Sequence, residues 1–398
     1  MKLVYFDDFK LGVLKNDAVV DVSAAVKDIP HIGPGDLMNG LIERWDSYKA
    51  RLEAAVARGA GMPLSQVRIR PPVPGPRTID CMAVNYMEDG TRSAPAPINA
   101  FHKSPSAIIG HGDTMVLPDV PAAVFEGEAE MAVIIGKKCS HVSEAEAMDY
   151  VFGYMNFVDG SARGLPPPGN VFFQMKSRDT FAPIGPYLVT ADEIKNPLKL
   201  QIRLWNNGVL MQDFNTDDMG HKISKCIAWL SSIHTLLPGD IVATGTNHRG
   251  LNPFMDGDTI ELETEGLGRL KFGIRDDLKR NWARKTRLQM HEEAKEKTPG
   301  HYPDLTPQLS GKYAKKTAVR LLNPLSPASE GRVGIDGGQC KASARELCAG
   351  GRRQAGVYLG LRRFGLRGRS GRLDRRRNWR QGRRRGQRLL SEVPIGSA

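Results

Sequence analysis

The stretch Glu126-Gly127-Glu128-Ala129-Glu130-Met131-Ala132-Val133-Ile134-Ile135-Gly136 sets three acids directly ahead of an apolar run that ends in glycine. Apolar and β-branched residues in a row read as a buried strand. Side chains alternate faces along a strand, so Glu128 and Glu130 point one way and Ala129 and Met131 the other. Two adjacent carboxylates that lose hydration repel each other, and a cation between them makes the arrangement favourable. All-oxygen ligation suits a hard divalent ion, Mg²⁺ first, then Mn²⁺ or Ca²⁺. On this pentapeptide alone, a solvated strand end is the plainer reading, because exposed Glu is ordinary.

Working outward, residues 2–25 alternate short apolar runs with turns and predict a β-meander, with Lys15-Asn16-Asp17 as a turn. Leu37, Leu41, Trp45, Tyr48, Leu52 and Val56 fall at helical spacing, with Asp36 as the expected N-cap. Pro71 to Pro76 reads as a connector. After the acid strand, Ser143-Glu144-Ala145-Glu146 is a capping box that predicts a helix to about Tyr150. A strand around Val151 to Phe157 and a turn at Asp159-Gly160-Ser161 follow. Asn206-Asn207-Gly208 is a hairpin signal, and Met219, Ile223, Ile227 and Leu230 mark a helix. Residues 276–297 are charged and predicted helical. The order of elements is not βαβαβ, and neither GxGxxG nor GxxxxGK[ST] occurs, which argues against a nucleotide fold.

The division expected is a small N-terminal α+β domain over 1–72 and a catalytic domain over 78–280. A helix and linker over 281–325 and an Arg/Gly-rich disordered tail over 326–398 complete it. The net charge of +12 belongs to that tail. Residues 331–398 hold 17 Arg and 1 Lys against 4 acids, a charge of +14, which leaves 38 basic and 40 acidic residues, or −2, for residues 1–330. The basic balance is therefore no guide to what the body binds, and nucleic acid is an expected partner only through the tail. An Arg-rich, Lys-poor end is also what a shifted reading frame in GC-rich DNA encodes, so deleting residues 331–398 is expected to leave activity intact. No run of 18 apolar residues occurs, so no membrane span is expected. Acids at Asp7 and Asp8 stand where a signal peptide would be apolar, and five scattered cysteines without CxxC or zinc spacing suit a reducing cytoplasm.

By Arg163 the chain resembles the fumarylacetoacetate hydrolase family, over roughly residues 1–280. The matching pieces are Val84-Asn85-Tyr86, Phe101-His102-Lys103-Ser104-Pro105-Ser106, the Glu128 strand, and Gly153-Tyr154 through Asp159-Gly160-Ser161-Ala162-Arg163. Lys176-Ser177-Arg178-Asp179 through Pro186, Pro238-Gly239-Asp240 and Thr244-Gly245-Thr246 follow in family order. The resemblance implies a β-rich α+β fold, a mixed β-sandwich roll, a homodimer, and a divalent ion held by Glu128, Glu130 and Asp159. It also implies that Tyr86, Arg163, Lys176 and Thr246 line a site for a 2-oxo acid or diketone. Such substrates chelate a metal through adjacent oxygens, Lys176 would stabilise developing charge or move a proton, and Arg163 would grip a carboxylate. Taken singly, each of these residues has a plainer role: Asp159 before glycine as a turn residue, Lys176 and Arg163 as surface charges, Thr246 as a loop residue.

The chain also departs from the family. Family hydrolases often carry a His, then a Glu, on a short lid after the Asn-Tyr pair. Here Met87-Glu88-Asp89-Gly90 follows, and Asp89 falls where that His would. An unshifted Asp is a much weaker base near neutral pH. Gly164-Leu165-Pro166 replaces the usual Asp-Gln continuation, and Asn247-His248 follows Thr246 where many relatives have Pro. His248 is the alternative base, Glu88 and Asp89 being otherwise hairpin residues. The expected activity is metal-dependent hydrolysis of a C–C bond in an acylpyruvate-like or 1,3-dicarbonyl acid, in aromatic-compound catabolism. An isomerase, decarboxylase or hydratase acting on a 2-oxo dioic acid is the alternative, and a non-catalytic binding protein on the same fold is the alternative of another class.

Overall fold

The computed structural model describes residues 1–166 and 171–297. The linker from 298 onward, the basic tail, Cys340 and Cys348 lie outside these residues. The chain opens as the expected meander, β1 (Lys2–Phe6), β2 (Lys10–Lys15) and β3 (Ala18–Asp21), with Asn16 in the left-handed region at its tight turn. Two helices follow where one was expected, α1 (Pro34–Glu43) and α2 (Trp45–Arg58), separated at Arg44. Asp36 sits in the first turn of α1, and Gly33 takes the cap position ahead of Pro34, whose missing N–H costs nothing there.

Short strands β4 (Met62–Pro63), β5 (Ile69–Arg70), β6 (Ile79–Met82), β7 (Ala100–His102), β8 (Ile108–Ile109) and β9 (Thr114–Val116) lead to β10 (Val124–Ile135). Then come β11 (Val151–Arg163), α3 (Phe172–Lys176), β12 (Ala182–Thr190), the hairpin β13 (Gln201–Asn206) and β14 (Val209–Asn215), and α4 (Ile223–Ile233). β15 (Ile241–Ala243), β16 (Thr259–Thr264), β17 (Arg269–Arg275) and α5 (Arg287–Lys297) complete the described chain. The predicted helix over 276–297 is thus confined to its last part. Asn207 and Gly208 both have positive φ, as the hairpin signal requires.

The strands form two sheets. The larger has 12 strands, in the order β4-β3-β2-β1-β12-β11-β10-β15-β6-β7 with β5 beside β1 and β8 beside β12. The smaller runs β14-β13-β16-β17-β9. β10, β11 and β12 pack across β13, β16 and β17. Along β16 the buried residues alternate (Ile260, Leu262, Thr264), the pattern of a sheet with one covered face. β10 is buried at every position: the apolar run from Met131 predicts this for its second half, while the half that carries Glu126, Glu128 and Glu130 is buried too and is not the solvated strand end that the pentapeptide alone suggests. Asn156 of β11 ties the layers together: its Oδ1 accepts from Thr264 N at 2.8 Å and its Nδ2 donates to Gly268 O at 2.9 Å. The meander of the N-terminal segment joins the larger sheet directly, because β1 pairs antiparallel with β12 at Lys2↔Val189 and Leu3↔Leu188.

Two local expectations are corrected. The capping box forms, with Glu146 N donating to Ser143 Oγ and Ser143 N to Glu146 Oε2, but it opens a short 3₁₀ turn, Ala147–Tyr150, and not an α-helix. β11 takes over immediately, leaving no length for a further helical turn. Asp159-Gly160-Ser161 is not a turn; it lies inside β11, paired with β10. Turn propensity gives way to a ladder of 12 paired residues that runs from Val124↔Arg163 to Ile135↔Val151. Gly160 is needed there for closeness: a Cβ would lie 2.9 Å from the Phe181 carbonyl oxygen, which accepts from Gly160 N at 2.8 Å.

Candidate active site

The register of the central pair builds the site. Glu128 stands directly opposite Asp159, and Glu126 opposite Ser161. Alternation therefore puts Glu126, Glu128 and Glu130 of β10 on one face with Asp159, Ser161 and Arg163 of β11. Like charges opposite each other across a ladder are unfavourable. Here they are also buried: Glu128 is 7% exposed, Glu130 1% and Asp159 0%. Carboxylate oxygens of these three lie within 4.8 Å of one another.

Cations from three other segments enclose the acids. Lys176, at the end of α3, places Nζ 2.8 Å from Glu128 Oε1 and 2.5 Å from Asp159 Oδ2. Lys103, just past β7, places Nζ 2.5 Å from the other Asp159 oxygen and also donates to the Gly160 and Lys176 carbonyls. Arg163 bonds Glu126 through Nε at 3.2 Å and Glu128 through Nη2. Arg287, from α5, reaches Glu126 at 2.7 Å. Burial pushes the Glu128 carboxyl up, but Lys176, Arg163 and His248 outweigh it and hold the group well below the usual range. Glu130 goes the other way. Burial raises it most, and Asp159 and Glu128 raise it further, against the Gly245 N–H donated to Oε2 at 2.7 Å and the Lys176 charge. Its Oε1 is buried with no hydrogen-bond partner among the described residues.

That orphaned oxygen is the physical test of a metal. Three converging carboxylates, one with an unpartnered buried oxygen and with no His or Cys among the donors, form the donor set a hard divalent ion takes. Glu130 must ionise to serve as a ligand, so Mn²⁺ uptake should expel a proton and strengthen as pH rises. Calorimetry in buffers of different ionisation enthalpy measures this, and a binding heat independent of buffer would contradict it.

Thr246 and Tyr86 have structural partners at this site. Thr246 Oγ1 donates to Ala129 O at 2.7 Å and accepts from Gln212 Nε2 at 3.0 Å, holding the 244–248 loop along β10. Tyr86 is fully buried, edge-on to Phe214 with ring centroids 5.1 Å apart. The loop that follows gives its buried place to Glu88. Asp89 faces outward, 49% exposed, and pairs with Arg249 Nη1 at 3.0 Å. Glu88 is 2% exposed and its Oε1 lies 2.5 Å from His248 Nδ1, while its Oε2 accepts His248 N at 2.9 Å. Val84, Glu88 and Asp89 all hold positive φ, unusual for residues with a Cβ, and such strain collects at functional sites. A carboxylate on Nδ1 keeps the proton there and leaves Nε2 as the lone pair. His248 is also near enough to Glu128 to lower its carboxyl.

Lys103 is absent from the residues expected on sequence grounds. It lies in the quoted Phe101-His102-Lys103 segment, and strand alternation relative to His102 is the only local hint of its direction.

A buried acid triad beneath a mixed two-sheet β fold defines an enzyme built around a divalent ion. The family model described as Fumarylacetoacetate (FAA) hydrolase C-terminal matches residues 79–275. The chain belongs to the fumarylacetoacetate hydrolase family. It is 32% identical to maleylpyruvate hydrolase of Aquipseudomonas alcaligenes over 293 residues, 69% of this chain and 99% of that protein. It is 39% identical to the mitochondrial oxaloacetate tautomerase Fahd2a of Rattus norvegicus over 219 residues, 52% of this chain and 69% of that one. Among solved structures, the maleylpyruvate hydrolase of Sphingobium sp. SYK-6, in complex with manganese (II) ion and pyruvate, aligns with a TM-score of 0.63 at 37% identity, covering 69% of this chain and 99% of that one. Among the described residues, no helix is long and apolar enough to cross a membrane.

Proposed function

We propose that the chain is a divalent-metal-dependent hydrolase that cleaves the C–C bond of an acylpyruvate-like acid, of the maleylpyruvate type, in aromatic-compound catabolism. One observation carries the reading: a buried His248, held through Nδ1 by Glu88, next to three carboxylates suited to an ion. Hydrolysis needs a base for water, which a binding protein does not.

Glu128, Glu130 and Asp159 would hold Mg²⁺ or Mn²⁺, which when bound supplies Lewis-acid polarisation of the substrate's adjacent oxygens. Arg163 would bind the substrate carboxylate with the N–H donors that Glu126 and Glu128 leave over. His248 Nε2 takes a proton from water as its oxygen joins the acyl carbon. The C–C bond then breaks, its electron pair passes to the pyruvate fragment as an enolate, and protonation of that carbon gives pyruvate beside the new carboxylate. Lys176 faces the developing negative charge. Tyr86 and Thr246 shape the wall. Among the residues named for catalysis, Asp89 has the surface role, through Arg249. Residues 78–280 form the catalytic domain in this reading, preceded by the 1–72 segment, in a cytoplasmic homodimer.

A second reading, tautomerisation of a 2-oxo dioic acid, is supported by the oxaloacetate tautomerase relative. Incubating the full chain and Mn²⁺ with an acylpyruvate panel separates the two. Hydrolysis bleaches the dicarbonyl ultraviolet band and releases pyruvate detectable with lactate dehydrogenase. Enol-to-keto conversion of oxaloacetate without pyruvate release supports the tautomerase, and inactivity on both sinks the catalytic reading.

A further inference from the structure

A second group of ligand-type side chains lies on the other face of the β6–β7 ladder. Asp80 of β6 stands directly opposite His102 of β7. Their neighbours Cys81 and Lys103 point the opposite way, into the acid centre: Lys103 bonds Asp159, and Asp159 and Glu130 add to the burial that raises the Cys81 thiol. On the outer face, Asp80 Oδ1 is 3.2 Å from His102 Nδ1 and 3.2 Å from Nε2 of His234, the residue that follows α4. The two imidazoles are 5.4 Å apart between centroids, and all three ligand atoms lie within 4.8 Å of one another.

Asp80 is not a surface acid. It is 2% exposed, and among the described residues no backbone N–H donates to it and the partners of its carboxylate are the two imidazoles and the Thr78 hydroxyl, 3.2 Å from Oδ2. Burial raises its carboxyl even with both imidazoles beside it. A carboxylate buried with so few donors is favoured by a cation held between it and the two imidazole nitrogens. The site is open from outside, because the His102 side chain is 64% exposed and that of His234 27%. We propose that Asp80, His102 and His234 form a second metal site, selective for a transition ion of the Zn²⁺ type. Two imidazole nitrogens and one carboxylate oxygen suit Zn²⁺ and leave a fourth position for water, whereas Mg²⁺ prefers oxygen alone.

The placement gives the ion a mechanical role. It joins β7 to the end of α4. His102 O accepts from Ser177 Oγ at 3.4 Å, and Ser177 Oγ accepts from Ser104 N at 3.1 Å, so the β7 end is tied to the segment that carries Lys176. An ion at Asp80 therefore fixes the strand from which Lys103 reaches Asp159, without touching substrate.

The test uses the full chain carrying Glu130→Gln, which disables the acid centre, with ZnCl₂ as probe in a calorimeter. One Zn²⁺ per chain is expected, and adding His102→Ala or His234→Ala should weaken it by at least about 100-fold, because losing even an outer-shell partner of a ligand costs about 10–100-fold. The Co²⁺-loaded protein should show visible d–d bands that vanish in the same variants. His102 is exposed, so His102→Ala should keep its melting temperature without metal. Zn²⁺ affinity and Co²⁺ spectra unchanged by His102→Ala would overturn the proposal, as would the absence of binding in the Glu130→Gln chain. Both readouts are independent of turnover, so failure of the hydrolase reading leaves them interpretable.

Discussion

Replacing Glu130 by Gln should raise the melting temperature of the metal-free protein while abolishing Mn²⁺ binding at the acid centre and turnover. In the folded chain the Glu130 carboxyl is buried between Asp159 and Glu128 and pushed well up, with Oε1 unpartnered. The sign follows from linkage. A carboxyl whose folded pKa exceeds its unfolded value costs nothing while both states are protonated, and the cost grows as pH rises above the unfolded value. The gain from Gln is therefore absent below the ordinary carboxylate range and grows as pH rises toward neutral, read as a melting temperature that climbs relative to wild type over that range. Asp159→Asn should do the opposite to stability. It leaves Lys103 and Lys176 without the carboxylate that both touch, a loss of about 3–5 kcal/mol for a broken buried pair. Both variants, and Glu128→Gln, lose an ion ligand, so turnover should vanish in all three. Mn²⁺ affinity unchanged in any of them would refute the ligand assignment.

His248→Ala should lower kcat by about 10²–10⁴-fold, the usual contribution of a positioned base, with Mn²⁺ affinity unchanged. Glu88→Gln tests the positioning role. The amide accepts from Nδ1–H less well than a carboxylate and can itself donate to that nitrogen, which favours the wrong tautomer. The expected result is a loss of about 10²-fold in kcat and a displaced acid-side limb of the pH profile, with KM little changed. A merely structural pair would lower the melting temperature and leave the profile of the remaining activity in place. If His248→Ala retains the wild-type rate across the pH range, water activation must come from elsewhere.

Much of the centre was legible in the residues. The alternation of Glu128 and Glu130 follows from the period of a strand, and the apolar run after them predicts its burial. The hairpin at Asn207-Gly208 and the meander followed from turn chemistry. Asp159 read locally as a turn residue because Asp-Gly carries that propensity; only the resemblance marked it as a ligand. Glu88 and Asp89 could not be told apart by composition, since which one turns inward depends on left-handed backbone at both positions and on where the 244–248 loop lies.

The sequence by itself determined the strand, the face its acids share, the order of the motifs and the confinement of the basic surplus to the last part of the chain. These are local properties, set by backbone periodicity and by counting charge. The tertiary structure alone decided that Asp159 stands opposite Glu128, that Lys103 reaches both Asp159 and the Lys176 carbonyl, and that Glu88 meets His248 across 160 residues. Register and long-range contact follow from the packing of two whole sheets, and a one-residue slip in that register would turn every acid of β10 away from its partners.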